Sequence, residues 1–166
     1  MSPSFLVDTT FVPIQQPHLE PWEYYNKNKN SFGLLYEVCV SLGRPFRLLS
    51  FRGPFKGAAS DVTIFRDSIM KKMRYGEKAM ADKAYRQEKE YVWCPPEGKM
   101  SGLNDEQKAA RRRVTVTRHL VERAIGRIKS WGFMNRKWKG KIFQHKLASH
   151  VIARLTQLDL YAHPLT

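Results

Sequence analysis

Three acidic residues in a strongly basic chain, Asp8, Asp82 and Glu122, have the types and settings that metal-assisted phosphate chemistry requires. Asp8 lies inside a β-branched and aromatic run, Phe5 to Ile14. Asp82 follows the short apolar segment Ala79-Met80-Ala81, and Glu122 falls inside a long helical pattern. Hard carboxylate oxygens suit Mg²⁺ or Mn²⁺, and two such ions roughly 3.5–4 Å apart stabilise the attacking and leaving oxygens of an in-line displacement at phosphorus. In that arrangement Asp8 bridges both ions, Asp82 binds one and Glu122 binds the other. Each residue also has a plainer role: Asp8 as a turn-forming residue at a strand end, Asp82 as a cap, and Glu122 as a surface partner of Arg118 or Lys129. Asp61 is a further metal candidate, with N-capping of the following helix as the stronger competing role.

The segment around Glu122 carries the most information. Arg118, Glu122, Gly126 and Lys129 share one helical face, while Val121, Ile125 and Ile128 form the apolar stripe beside it. Arg118 and Lys129 then flank the carboxylate as phosphate contacts. Gly126 weakens a helix interior by about 1 kcal/mol relative to Ala, which makes sense if a DNA backbone must come close. Arg127, and the later cluster Arg136-Lys137-Trp138-Lys139, add candidate DNA-binding residues in which a ring suited to stacking sits among cations; a Trp buried in the core is the alternative.

The elements that must position these groups follow from pattern. Phe5 to Ile14 predicts a strand, Tyr24 to Asn30 a polar loop, and Phe32 to Leu42 and Phe46 to Phe51 a hairpin turned at Gly43-Arg44-Pro45. Gly53-Pro54 and Gly57 to Ser60 interrupt the strand pattern, and Ser60 or Asp61 caps a helix over Val62 to Met73. Ala79 to Ala81 reads as a buried strand ending at Asp82, and Cys94-Pro-Pro-Glu97 opens a loop. Asn104 caps a charged helical stretch to Arg113, and a long helix runs from about Thr117 through Trp131. From Gln144 to Tyr161, Leu147, Val151, Leu155 and Leu158 lie on one face, which predicts a helix packed on the sheet by that stripe.

Composition narrows the partner. The 166 residues hold 29 Lys plus Arg against 15 Asp plus Glu, a formal charge of +14 that calls for a polyanion. Spread through the chain without a basic amphipathic anchor, that charge favours nucleic acid over membrane. The two cysteines, Cys39 and Cys94, lack metal-ligand or disulfide spacing and fit a reducing compartment. No leader or long apolar span is evident, so the expectation is a soluble intracellular protein.

The segments Val-Asp-Thr-Thr (7–10), Gly57-Ala-Ala-Ser-Asp61, Ala-Asp-Lys-Ala-Tyr (81–85) and Arg118-His-Leu-Val-Glu-Arg-Ala-Ile-Gly-Arg-Ile-Lys129 occur in the order found in one family. Together they resemble the DDE endonuclease domain of Harbinger/PIF-type transposases, over nearly the whole chain. The resemblance implies an RNase H-like α/β fold, a mixed β-sheet flanked by helices. Its first Asp lies on the first strand, its second just after the fourth, and its Glu on a helix packed against the sheet. It also implies two Mg²⁺ (or Mn²⁺), hydrolysis at transposon ends, and strand transfer by a 3′-hydroxyl into target DNA. The partners implied are double-stranded DNA, a second copy of the chain, and a separate DNA-binding protein, with nuclear residence in a eukaryote and cytoplasmic otherwise. Such transposases usually carry a helical DNA-binding region ahead of the core, whereas Asp8 stands seven residues from the start; the expectation is one catalytic core over 1–166. Ser60 occupies a position where the family often carries His. The competing reading is a domesticated or degenerate core that binds nucleic acid without catalysis.

Overall fold

The computed structural model describes residues 3–96, 98 and 100–165; Glu97, the end of the expected Cys94–Glu97 loop, lies outside them. A mixed six-stranded sheet is flanked by helices, an RNase H-like arrangement. Strand β1 (Phe5–Pro13) pairs antiparallel with β3 (Ser31–Ser41), which pairs antiparallel with β4 (Leu48–Lys56) and with the short β2 (Tyr25–Asn26). On its other edge β1 pairs in parallel with β5 (Ala79–Met80), and β5 with β6 (Val92–Trp93). The near-continuous apolar run of β3 follows from its position, covered on both faces.

One face of the sheet packs Leu6, Val12, Val38, Val40 and Met80 against Val114, Val121, Ala124 and Ile128 of helix α2 (Asp105–Lys129). The other packs Phe5, Val7, Cys39, Ala79 and Ala81 against Phe65 of helix α1 (Asp61–Asp67) and Tyr85. Alternation along β1 therefore sends Leu6 and Asp8 toward α2, and Val7 and Thr9 toward α1. A short helix α3 (Gly132–Asn135) and the long α4 (Ile142–Ala162) complete the α2 side. No helix of the described residues is long and apolar enough to cross a membrane.

Several expectations are corrected in detail. β4 continues through Gly53-Pro54 because a register irregularity opposite Tyr36 absorbs them, and Gly53, at φ 140°, leaves room where a Cβ would meet Leu35 O at 2.8 Å. α1 stops at Asp67: the hydroxyl of Ser68 turns inward to donate to the carboxylate of Glu37, and the chain goes on as a single 3-10 turn at Met70–Lys72. The two expected helical stretches after Asn104 are one helix of 25 residues, started by a capping box in which Asn104 and Gln107 satisfy each other's backbone N–H. Across its β-branched middle the hydroxyls of Thr115 and Thr117 donate to the carbonyls one turn back, so no break is needed.

The largest correction concerns α4. Leu147, Val151, Leu155 and Leu158 point to solvent, at 61, 56, 40 and 63 % exposure. The face that packs carries His145, Ser149, Ile152, Ala153, Thr156 and Leu160. Its anchor is polar: Tyr36 OH and His145 Nδ1 share a buried hydrogen bond of 2.7 Å, and the imidazole sits among the rings of Tyr36, Phe133 and Trp138. Small residues let this helix lie close to its neighbours, and apolar size alone selects the wrong stripe.

Glu37 is the buried acid of the sheet. It is fully enclosed, accepts from Ser68, and has no partner for Oε1 among the described residues. Burial pushes its carboxyl from the ordinary 4.5 up to about 7, against the pull of Ser68 and Arg52. A displacement of that size is about 3 kcal/mol between neutral and ionised forms. The raised value means that this stabilisation is complete below the unfolded pKa and is lost as pH rises through about 7. Glu37→Gln should therefore match wild type in urea unfolding at about pH 4 and exceed it by about 3 kcal/mol at about pH 8; a difference that ignores pH would contradict this account.

Candidate active site

The site forms where the middle of β1 and the C-terminal end of the parallel β5 meet the middle of α2. β1 and β5 pair as Phe5↔Ala79 and Leu6↔Met80. Carried two residues further, this register sets Asp8 level with Asp82 on the face that α2 covers. Asp8 accepts from Thr9 N at 2.8 Å; Asp82 caps the following 3-10 turn and accepts from Lys83 N at 2.6 Å. Glu122 comes from α2, whose packing through Val121 and Ala124 fixes its height over the strand ends. Arg118, one turn earlier, joins the acids: its guanidinium lies 3.2 Å from Asp82 Oδ2 and 3.8 Å from Glu122 Oε1. His119 Nδ1 is 3.1 Å from the other oxygen of Glu122.

Electrostatics register this crowding. Burial raises the Asp8 carboxyl from 3.8 to about 6, with Asp61 and Asp82 adding repulsion, while the Thr9 amide and the Arg118 charge pull it down. Asp61 reaches the same place from the opposite layer. Ser60 takes the N-cap, accepting from Thr63 N at 3.2 Å, so Asp61 is free to accept from the Thr9 hydroxyl. Asp8, Asp61 and Glu122 all line one cavity of about 730 Å³. Glu122 also borders a second, of about 430 Å³, that holds Asp82, Lys83, Arg86, Arg111, Arg118 and His119.

The donor chemistry fits hard divalent cations: carboxylates from separate elements converge, and one of them is held against its preference for charge. Among the described residues no three His, Cys, Asp or Glu side chains are arranged as a ready-made metal cage. Arg118 is the counter-charge between Asp82 and Glu122 in this state.

The remaining sequence candidates separate. Lys129 lines the larger cavity beside Lys29, and burial together with that second ammonium lowers its pKa. Arg127 turns away from the carboxylates, bonding Asp159 at 2.9 Å and the His163 carbonyl at 2.6 Å, so it ties α2 to the end of α4. Trp138 is half-buried against Phe133 and His145, with its indole N–H donating to Lys141 O. Arg136, Lys137 and Lys139 are exposed beside it. Pattern and spacing do not single out Lys29, Lys83, Arg86, Arg111 or His119, although all five line the two cavities. Adjacency to Asp82 could have flagged Lys83; Lys29 enters only through the β2–β3 turn.

The chain matches the family model described as DDE superfamily endonuclease over residues 7–157. It belongs to that family. No curated protein and no solved structure matches it. The family is one of nucleases acting on DNA, and its match begins one residue before Asp8 and runs past Glu122 and Lys129.

Gly126 does not face the cavities that Glu122 borders. It opens onto a shallow depression with Arg123, Ser130, Pro164 and Leu165, and a Cβ there would meet nothing within 4 Å. Gly126→Ala should raise stability by about 1 kcal/mol in chemical denaturation with DNA affinity unchanged. A drop in affinity would restore the expectation that a DNA backbone comes close at this position.

Proposed function

We propose that this DDE endonuclease is the catalytic core of a cut-and-paste DNA transposase, hydrolysing a DNA phosphodiester and transferring the resulting 3′-hydroxyl end into target DNA. The observation that supports the reading best is the shared level of Asp8 and Asp82 on adjacent parallel strands, under the helix turn that carries Glu122 and Arg118. Asp8, Asp82 and Glu122 would hold two Mg²⁺ or Mn²⁺, with Asp61 a further candidate beside Asp8. Bound there, the ions would activate a nucleophilic oxygen and offset charge on the leaving one.

This chain's own residues supply the rest. Arg118 holds Asp82 and Glu122 together against their repulsion, and is placed to turn its guanidinium to a DNA phosphate once cations take over the carboxylates. Lys83, Arg86 and Arg111 line the approach on one side of Glu122, and Lys29 and Lys129 on the other. Such cations neutralise backbone phosphates whatever the sequence. The partners in this reading are double-stranded DNA, a second copy of the chain and a separate DNA-binding protein.

A non-catalytic DNA-binding role is the alternative, favoured by the Arg118 contacts that already occupy two of the three carboxylates. The two separate cleanly. Asp82→Asn should lose DNA cleavage by a factor of about 10²–10³ while folding and DNA affinity persist, a loss typical of removing a group that stabilises charge in the transition state. Calorimetric titration of Mn²⁺ should show binding in wild type that Asp8→Ala abolishes. Identical titrations, with Glu122→Gln indistinguishable from wild type in every assay, would establish the non-catalytic role.

A further inference from the structure

Resting on that reading, we propose that Lys29, on the turn between β2 and β3, pairs with Lys129 to bind a phosphate of the DNA strand beside the one that reacts, making this turn the second wall of the substrate channel.

The cavity that Asp8, Asp61 and Glu122 line is lined by both signs of charge. Lys29 and Lys129 border it too, together with Asn26, Asn28, Asn135 and Ser31. Two ammonium groups converging on one space repel each other, and Lys129 feels both partial burial and Lys29. An anion between them would relieve both effects. Among the acids of this cavity Glu122 is engaged by Arg118 and His119, and Asp8 and Asp61 by Thr9; none of the three pairs with Lys29 or Lys129. Seven residues of α-helix separate Glu122 from Lys129, about 10 Å along the axis. That spacing suits a neighbouring phosphate on the same strand.

The turn is held in place for this task. Lys29 N donates to the backbone carbonyl of Asn26 at 3.2 Å and to its side-chain oxygen at 3.0 Å. Asn26 Nδ2 in turn donates to Gly57 O at 2.8 Å, which ties the turn to the loop that leads into Asp61. Gly57 permits the contact, because a Cβ there would stand 2.4 Å from Tyr24 O and 2.5 Å from Gly33 O. The Lys29 side chain is itself exposed, so the backbone is organised while the ammonium stays available. The Asn28 and Asn135 side-chain amides beside two lysines are donors a phosphodiester takes, and they carry no preference for a base.

The test is anisotropy of the full chain with a labelled random-sequence DNA duplex across a salt series, in parallel with cleavage of the same duplex in Mn²⁺. Lys29→Gln should weaken binding several-fold and lower the slope of log affinity against log salt by about 1. Lys29→Arg should restore both, and Lys72→Gln, an equal loss of charge on an exposed residue outside the cavities, should move neither. Lys29→Gln in a Lys129→Gln background should weaken binding by less than it does alone, since the two share one phosphate. Inorganic phosphate that competes with DNA in wild type no better than in Lys29→Gln would locate the contact on the polymer; preferential competition in wild type with unaltered DNA binding would mean a free-phosphate site and overturn the proposal. Equal effects of Lys29→Gln and Lys72→Gln would also overturn it. If wild type binds DNA with this Lys29 dependence yet never cleaves, the catalytic reading fails and the subsite stands. If wild type cleaves while its binding is indifferent to Lys29, the subsite fails and the catalytic reading stands.

Discussion

The site depends on two rungs of parallel pairing. β5 is only two residues long, yet its alignment with β1 sets Asp82 beside Asp8. Like charges so close resist assembly, and the chain manages the repulsion by several means. Burial raises the Asp8 carboxyl to about 6 and so eases its protonation, Asp82 and Glu122 share the Arg118 guanidinium, and Asp61 accepts from a hydroxyl. The acids can thus lie close together in the folded chain with no cation bound among them.

The two apolar layers hold that cluster from both sides. α2 bears Arg118 and Glu122 on the turns that follow its buried Val114 and Val121, while α1 presents Asp61 from its first turn because Ser60 does the capping. A side chain from each layer therefore reaches the same edge of the sheet. The +14 charge is distributed so that cations line both cavities bordering Glu122, on opposite sides of the acids. A polyanion drawn to either cavity is brought to the carboxylates.

Much of this was legible in the sequence where local pattern and global position agree. The near-continuous apolar run of β3 and the β-branched run around Asp8 announced strands, and the stripe of Val121 and Ile128 a helix with one working face. Legibility failed where packing chose against size. On α4 Leu147, Leu155 and Leu158 face water while a histidine, a serine and a threonine face the core beside Leu160, the histidine because a tyrosine hydroxyl inside needed a partner. It failed again for long-range contacts: no spacing shows that Arg127 reaches Asp159 and His163, or that a turn of asparagines and lysines comes back to Lys129.

The brevity of β5 also decides where the chain tolerates change in length. A one-residue insertion or deletion ahead of Ala79 that slid the strand along β1 would turn Asp82 to the α1 side and Ala81 to the α2 side, since alternate residues face opposite ways. Diversity in length should therefore gather after Trp93, in the connection that leads to Asn104, where no rung of the ladder is counted.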